Sequence, residues 1–306
     1  MISKKKKITA RWWEQRYLLA MSVPIIAWLL VFAYVPLVGW GIAFINYKPG
    51  IPLLQTKFAG IRNFQMLLMD PAFFNAMRNT IIMSFLNLVT GFLGAISFAL
   101  LLNEIRSIKI KRVVQTISYL PHFVSWVVVA GMVIQALSLS GILNYLLTSM
   151  GILKEPVNFM ANPDYFYGTI TIAHLWKGLG WSTIIYLSAM AGIDQELFEA
   201  ALADGAGRLR RIWHVTLPGI APTVIVLLVM NFGGLLNAGF EDKMLLSNPF
   251  NKNVSEVLSL YTLRMGIRSN RFSYGTAVSV VISLISLTLV TIANKTSRRF
   301  TGSGLY

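Results

Sequence analysis

Residues 193–223 read IDQELFEAALADGAGRLRRIWHVTLPGIAPT, a polar stretch between two long apolar runs. Strong helix formers from Gln195 to Ala203 predict a short helix that ends at Asp204-Gly205, and a second helix is expected from Arg208 to Thr216. Six alanines and glycines lie between positions 200 and 207, so this hairpin has too few bulky side chains to build its own core. We therefore expect its backbone to fit a groove on a partner, with Glu199 available for a charged contact.

Around this stretch the chain contains six apolar runs, each long enough to cross a hydrocarbon core that takes ~20 residues. The runs are Tyr17 to Val38, Asn79 to Leu102, Val113 to Leu139, Tyr165 to Met190, Gly219 to Phe240 and Ser273 to Asn294. Backbone groups in lipid must be paired within the protein, so the prediction is an all-α membrane protein with six transmembrane helices. Residues 1–16 form a basic N-terminal segment, residues 17–294 the six-helix domain with loop 193–218, and residues 295–306 a tail.

Composition agrees with lipid as the main solvent. Of the 306 residues, 55% are hydrophobic and 13% are charged, whereas soluble domains carry about 25% charged residues. The net charge of +15 is typical of some nucleic-acid-binding proteins, but here the basic residues lie between the apolar runs, so no nucleic-acid partner is expected. The chain has no cysteine, and its three histidines lack metal-ligand spacing, so no metal site is expected.

The distribution of lysine and arginine predicts the orientation in the membrane. Sixteen of them lie in short segments on one side, at both termini and in the second-to-third and fourth-to-fifth connections, against ten in longer loops on the other side. Cytoplasmic loops carry the excess, so both termini are expected in the cytoplasm.

The source of energy is expected to lie outside the chain. No GxxxxGK[ST] loop for nucleotide phosphates is present. No Asp or Glu lies inside a predicted span, which argues against an ion-coupled secondary transporter, since these usually need an intramembrane carboxylate. A membrane-embedded enzyme would need catalytic side chains such as paired carboxylates or a Ser/His/Asp set. The sequence shows neither near a membrane face, so an enzyme is not expected.

The motif EAALADGA followed by TLP resembles the EAA loop of ABC-importer permeases. The resemblance implies the type I ABC-importer permease fold and a cytoplasmic coupling helix that docks on an ATPase subunit. The positions that match the motif are Glu199, Ala200, Ala201, Asp204, Gly205, Leu217 and Pro218.

Two further stretches resemble the carbohydrate branch of that family. They are FAGIRNFQMLLMDPAFFNAMRNT at residues 58–80, and the C-terminal region from 239 to 299 with FEDKMLLSNP and FSYGTAVSVV. Importers of alginate and of pectin-derived oligosaccharides belong to this branch, so the resemblance implies import of an oligosaccharide, possible substrates being acidic, such as alginate, or neutral.

The resemblance also implies the partners. A second permease subunit is expected to complete a heterodimer, two ATPase subunits bind ATP and Mg²⁺, and an extracytoplasmic solute-binding protein delivers the sugar. The resemblance then implies that this chain is a non-catalytic subunit of a bacterial inner membrane, with no cofactor of its own.

Three residues of the fourth run are candidates for the substrate path. His174, Lys177 and Trp181 follow at i, i+3 and i+7, so they share one helical face, and Lys177 is the one formal charge inside a predicted span. A cation beside an aromatic ring suits a uronate sugar; alternatively, Lys177 extends to the headgroups or pairs with a helix C-terminus. Asn231 and Asn237 are candidates for the path or for hydrogen bonds between helices. Asn87, Gly91 and Gly94 are expected to serve helix packing.

Overall fold

The computed structural model describes residues 15–236 and 238–301. Within them the chain is helical, apart from loops and one isolated antiparallel bridge between Ile45 and Phe58. Most of the predicted basic segment, Asn237 and the last five residues of the predicted tail lie outside the described residues. The α-helices are α1 (Arg16–Leu29), α2 (Arg62–Leu68), α3 (Pro71–Glu104), α4 (Ile108–Phe123), α5 (Trp126–Ala136), α6 (Ile142–Ser149), α7 (Phe166–Ala191), α8 (Gln195–Ala203), α9 (Arg208–Arg211), α10 (Leu217–Gly233), α11 (Glu241–Leu246), α12 (Lys252–Ser255), α13 (Leu258–Thr262) and α14 (Phe272–Thr301).

Four helical segments of the described chain are long and apolar enough to cross a membrane: Arg16–Phe44, Pro71–Glu104, Arg208–Gly233 and Phe272–Arg299. The first continues α1 through a π-helical turn, Leu30–Tyr34, and a 3-10 stretch, Val35–Phe44. The pair α4 and α5 makes a fifth if a sharply bent pair is counted as one span. Helix α7 has 26 residues and so has the length, but its Gly, Ser, Thr, His and Lys residues lower its hydropathy.

The third apolar run differs from the continuous helix that was predicted. Helices α4 and α5 meet at an angle of 98°. Val124 and Ser125 between them have extended backbone, and the Ser125 hydroxyl accepts a hydrogen bond from the Val128 N–H at 3.4 Å to begin the new helix. Pro121 in the last turn of α4 cannot donate a backbone hydrogen bond, which favours a break here.

The fifth apolar run also ends earlier than predicted. Helix α10 stops at Gly233, with Gly234 at its C-cap, instead of reaching Phe240. Glycine costs about 1 kcal/mol in a helix interior, so two consecutive glycines favour an end. Asn231 therefore lies in the last turn of the helix.

The chain divides into two compact units. One comprises Met1–Leu67 and Met265–Val280, the other Leu68–Arg264 and Val281–Tyr306. The core of the first is small: Ala43, Ala277 and Val280 are buried there with Trp40 and Phe64 packed against them.

The second unit is held together by close contact of α7 with its neighbours. A Cβ on Gly94 of α3 would lie 2.8 Å from Leu175 of α7, and one on Gly180 of α7 would lie 2.1 Å from the Ser118 carbonyl of α4. Gly94 therefore serves packing, as predicted. One apolar cluster of this unit lies near α8 and contains Ala95, Ala99, Tyr186, Met190, Ile193 and Ile220.

Candidate functional site

The first candidate site is helix α8, which begins and ends where the sequence predicted. The Asp194 carboxylate accepts a hydrogen bond from the Glu196 N–H at 3.0 Å and so caps its start. At its end Gly205 has φ +73°, a conformation that favours glycine. The N–H of Gly205 donates to Leu202 at 3.0 Å and that of Ala206 to Ala201 at 2.9 Å, the paired bonds of a glycine-terminated helix.

Helix α8 presents most of its surface outward. Glu199, Ala200, Asp204 and Gly205 are exposed, and Ala201 is half-buried. The helix is fixed from behind by Phe198, which packs against the apolar cluster with Ile193. Leu217 and Pro218 are the first two residues of α10, and the adjacent Gly219 leaves room for Ile193. Large apolar side chains are exposed on either side of the turn: Leu197, Leu202, Leu209 and Trp213.

The second candidate site is a set of three cavities among α3, α7 and α10. Their volumes are ≈ 220, ≈ 170 and ≈ 350 Å³. Asn87 of α3 lines all three, and Asn231 of α10 lines the first and the last. Trp181 lines the first cavity, and His174 lines the other two. Polar side chains from three helices therefore face one region inside the second unit.

Two side chains of this region have unsatisfied polar atoms. The Asn87 Oδ1 and the Ser84 Oγ are buried and have no hydrogen-bond partner among the described residues. Such atoms cost free energy unless a ligand or water pairs with them, so they mark a surface made for polar contact. Asn87 was expected to serve packing; its place in all three cavities instead assigns it to this polar surface.

Beside these cavities lies a charged cluster in which His174 meets the buried ion pair of Asp242 and Lys243. The His174 Nε2–H donates to the Asp242 carboxylate, and the Lys243 ammonium donates to the same oxygen at 2.6 Å and to the Ala238 carbonyl. Lys243 is fully buried. Gly239 has φ +87°, and a Cβ there would lie 2.8 Å from Asp242, so only glycine leaves space for the cluster.

Asp242 and Lys243 lie in α11, after the membrane-length helix that ends at Gly233, and their surroundings shift the pKa of each side chain. Burial favours a neutral Asp242, but the hydrogen bond from His174 and the charge of Lys243 outweigh it, so the pKa of this carboxyl lies below its usual value. Burial also lowers the pKa of Lys243, and Asp242 offsets part of that effect. No carboxylate lies inside a predicted span, but the structure places Asp242 of α11 against His174 of α7.

Lys177 lies at the break between α4 and α5. Its ammonium donates to the His122 carbonyl at 2.7 Å and to the Pro121 carbonyl at 3.4 Å, and lies 5.7 Å from the centre of the Trp126 ring. It lines none of the three cavities. This geometry matches the alternative in which Lys177 pairs with a helix C-terminus.

Aromatic rings fill the rest of this junction. Trp181 stacks on His122 with ring centres 4.5 Å apart and an interplanar angle of 4°. The ring centres of Trp126 and His174 lie 4.7 Å apart. The predicted face of His174, Lys177 and Trp181 thus exists, but its members divide between the charged cluster, the helix break and the cavity wall.

Ser84 and Asp242 were not predicted from the sequence, and Asn87 was predicted to serve packing. A signal was available for Asn87, an amide in the middle of an apolar run. For Asp242 no local signal exists, because its partner His174 is 68 positions away. Within the described residues, no three His, Asp or Glu side chains lie close enough together to hold a metal ion.

The sequence of this chain is similar to those of known transport proteins. The family model described as "Binding-protein-dependent transport system inner membrane component" matches residues 87–300. The polygalacturonan/rhamnogalacturonan transport system permease protein YteP of Bacillus subtilis (strain 168) is 40% identical over 304 residues, 99% of this chain and 94% of the relative.

Solved structures add similarity in three dimensions. A chain of a bacterial ABC transporter involved in the import of the acidic polysaccharide alginate superposes with a TM-score of 0.88 and is 37% identical, covering 96% of this chain and 99% of that one. A chain of the bacterial alginate ABC transporter in complex with a periplasmic protein carrying an alginate pentasaccharide gives the same TM-score and identity over 97% and 99%.

Proposed function

Because this chain belongs to the family of binding-protein-dependent transport system inner membrane components, we propose that it forms one half of the membrane pathway of an ATP-driven importer for acidic oligosaccharides. The observation that carries the substrate class is similarity along the full length to permeases of acidic polysaccharides: 40% identity over 99% of the chain to one, and a TM-score of 0.88 to another.

The proposed substrate path follows the cavities among α3, α7 and α10. Amides at Asn87 and Asn231 and the imidazole of His174 supply hydrogen bonds for sugar hydroxyls, and Trp181 supplies a flat ring. Asp242 fixes the orientation of His174, and Lys243 holds Asp242 in place. The pathway needs no covalent chemistry, so this subunit is non-catalytic and binds no cofactor.

The proposed energy source is a pair of ATPase subunits that bind ATP and Mg²⁺. One of them docks on α8 and the turn at Gly205, where the backbone is exposed and lies between exposed leucines. The proposed coupling loop comprises the residues that match the motif: Glu199, Ala200, Ala201, Asp204, Gly205, Leu217 and Pro218.

A second, different permease subunit completes the pathway in this proposal, and an extracytoplasmic solute-binding protein delivers the sugar. The most apolar part of the segment Arg16–Phe44 is not buried by any other part of the described chain. It is therefore left to contact lipid or the second subunit. The proposal includes six spans, with α4 and α5 as the third and α7 as the fourth, and both termini in the cytoplasm.

Uptake by the reconstituted four-subunit complex tests the substrate class. Proteoliposomes with the solute-binding protein outside and ATP inside are expected to accumulate pentagalacturonate at least tenfold faster than maltopentaose, since discrimination of this size needs only about 1.4 kcal/mol. The matched control omits ATP. Equal rates for the acidic and the neutral sugar would contradict an acidic substrate.

Import of a neutral oligosaccharide is the second candidate, favoured by the engagement of Lys177 with backbone carbonyls. The variant Lys177→Met tests whether this charge attracts substrate. If the ammonium serves only the helix break, uptake of every sugar falls by the same factor. If it also attracts an acidic substrate, uptake of pentagalacturonate falls further than that of maltopentaose.

A further inference from the structure

The unit formed by Met1–Leu67 and Met265–Val280 contains a cavity of ≈ 680 Å³ of its own. It lies between the loop after the first membrane-crossing segment and the start of α14. This volume falls within the roughly 300–1,000 Å³ of small-molecule sites.

The walls of this cavity are fixed by hydrogen bonds between distant parts of the chain. The buried Asn63 amide donates to the Ala43 carbonyl at 2.8 Å, and the Tyr47 N–H donates to the Ser273 hydroxyl at 2.9 Å. The Asn46 N–H donates to the Lys57 carbonyl at 2.9 Å. The loop is therefore held in one shape before any ligand arrives.

The lining is strongly basic. Lys48, Lys57, Arg62 and Arg271 line the cavity, and no acidic residue does. None of these four cations takes part in a salt bridge within the described part of the chain. By contrast, two cations elsewhere in the chain, Lys243 and Arg264, both form salt bridges with carboxylates.

Four cations that have no carboxylate partner among the described residues are unexpected around one cavity on this side of the membrane. In the proposed topology they lie outside the cytoplasm, where short loops normally carry fewer lysines and arginines. A cluster against that trend indicates an anionic ligand that needs them.

The other lining groups are those that bind sugars. Tyr47, Phe272 and Tyr274 supply aromatic rings, and the Arg271 guanidinium lies 4.4 Å from the centre of the Tyr274 ring. Asn46, Gln55 and Asn270 add amides for hydroxyl groups. A concave wall of rings and amides suits a small ligand better than a protein surface, because protein docking sites bury far larger areas.

We propose that this cavity binds a uronate unit of the imported oligosaccharide, with Lys57 and Arg62 pairing with the sugar carboxylate. The inference rests on the proposed function, since it takes the substrate to be acidic. It adds a binding site separate from the cavities among α3, α7 and α10.

Binding of pentagalacturonate to the purified four-subunit complex tests this site. The complex is held in phosphatidylcholine nanodiscs without the solute-binding protein, and affinity is measured by calorimetry. The double variant Lys57→Gln/Arg62→Gln is expected to weaken binding about tenfold, because charge-assisted hydrogen bonds are lost. Lys48→Gln is a second, milder variant, and the double variant Lys154→Gln/Lys252→Gln removes two exposed lysines elsewhere as the matched control.

Three results would overturn the site. Affinity for pentagalacturonate unchanged in all variants is one. Unchanged sugar affinity with weaker docking of the solute-binding protein assigns the cations to an acidic protein surface. If the affinity of variant and wild type differs only when phosphatidylglycerol is present in the nanodisc, the cations are assigned to lipid.

Uptake by the wild type separates this inference from the proposed function. If the wild type imports pentagalacturonate and the double variant still binds it normally, only the site is wrong.

Discussion

Asp242 and Lys243 are adjacent in sequence, and both side chains are buried. A buried ion pair contributes little stability by itself, because desolvation opposes the attraction, but removing one partner leaves an uncompensated charge. Here Asp242 also accepts the hydrogen bond from His174, so a single carboxylate holds both an ammonium and an imidazole. The cluster is therefore sensitive to loss of Asp242 above all.

The variant Asp242→Asn is expected to destabilise the permease by about 3–5 kcal/mol, because Lys243 remains buried without a counter-charge. Thermal unfolding of the purified complex, followed by size-exclusion chromatography, measures the effect. Glu241→Gln, which neutralises the exposed neighbour, is the matched control. Asp242→Asn/Lys243→Met should recover part of the loss; a single variant as stable as wild type would show that the cluster is not held by Asp242.

At the scale of elements, α8 is a short helix whose end depends on one glycine. Gly205 has a positive φ, which costs other L-residues about 1–2 kcal/mol, and no atom lies within 4 Å of the position of a Cβ there. A side chain at this position therefore meets no part of the chain itself. A bulky side chain at this position would instead collide with a protein that docks on the turn.

The variant Gly205→Trp is expected to remain in the membrane but to lose at least about 90% of ATP-driven uptake, a tenfold loss that corresponds to 1.4 kcal/mol of docking energy. Sugar-stimulated ATPase activity and uptake are measured together in proteoliposomes. Gly205→Asn, a residue that tolerates positive φ, separates bulk from backbone strain and should retain more activity. Normal coupling in Gly205→Trp would remove α8 from the ATPase contact.

The break between α4 and α5 is the other element that departs from a simple span. The carbonyls of Pro121 and His122 in the last turn of α4 accept hydrogen bonds from the Lys177 ammonium, and the stacked rings of His122 and Trp181 pack beside them. A helix end inside an apolar region needs such donors, because no water is available to its carbonyls. The break in the third apolar run therefore explains why the fourth run carries Lys177.

For the whole molecule, the proposed topology places the coupling helix and both termini on one face of the membrane. A reporter that is active only in the cytoplasm should work when fused after Arg112, Arg211 or Arg299, and fail after Asn63, Lys154 or Lys252. The two sets of fusions serve as controls for each other. A cytoplasmic signal at Lys154 would place α8 on the wrong side and contradict both the six-span arrangement and ATPase docking.

The sequence by itself determined the helical class, the approximate position of the apolar helices and the bounds of α8. These features depend on local signals: apolar runs of membrane length, strong helix formers, and a glycine that ends a helix. Gly94 was likewise assigned correctly to packing, since a small residue in a membrane helix indicates close approach of a neighbour.

Only the tertiary structure decided which polar residues meet. The cavity around Asn87 needs three helices in contact, and the pairing of His174 with Asp242 joins residues 68 positions apart. The basic cavity brings residues 46–66 beside residues 270–274. Periodicity describes one helix at a time, whereas these sites arise where separate segments pack, so only their contacts reveal whether a charge faces a ligand, a carboxylate or a helix end.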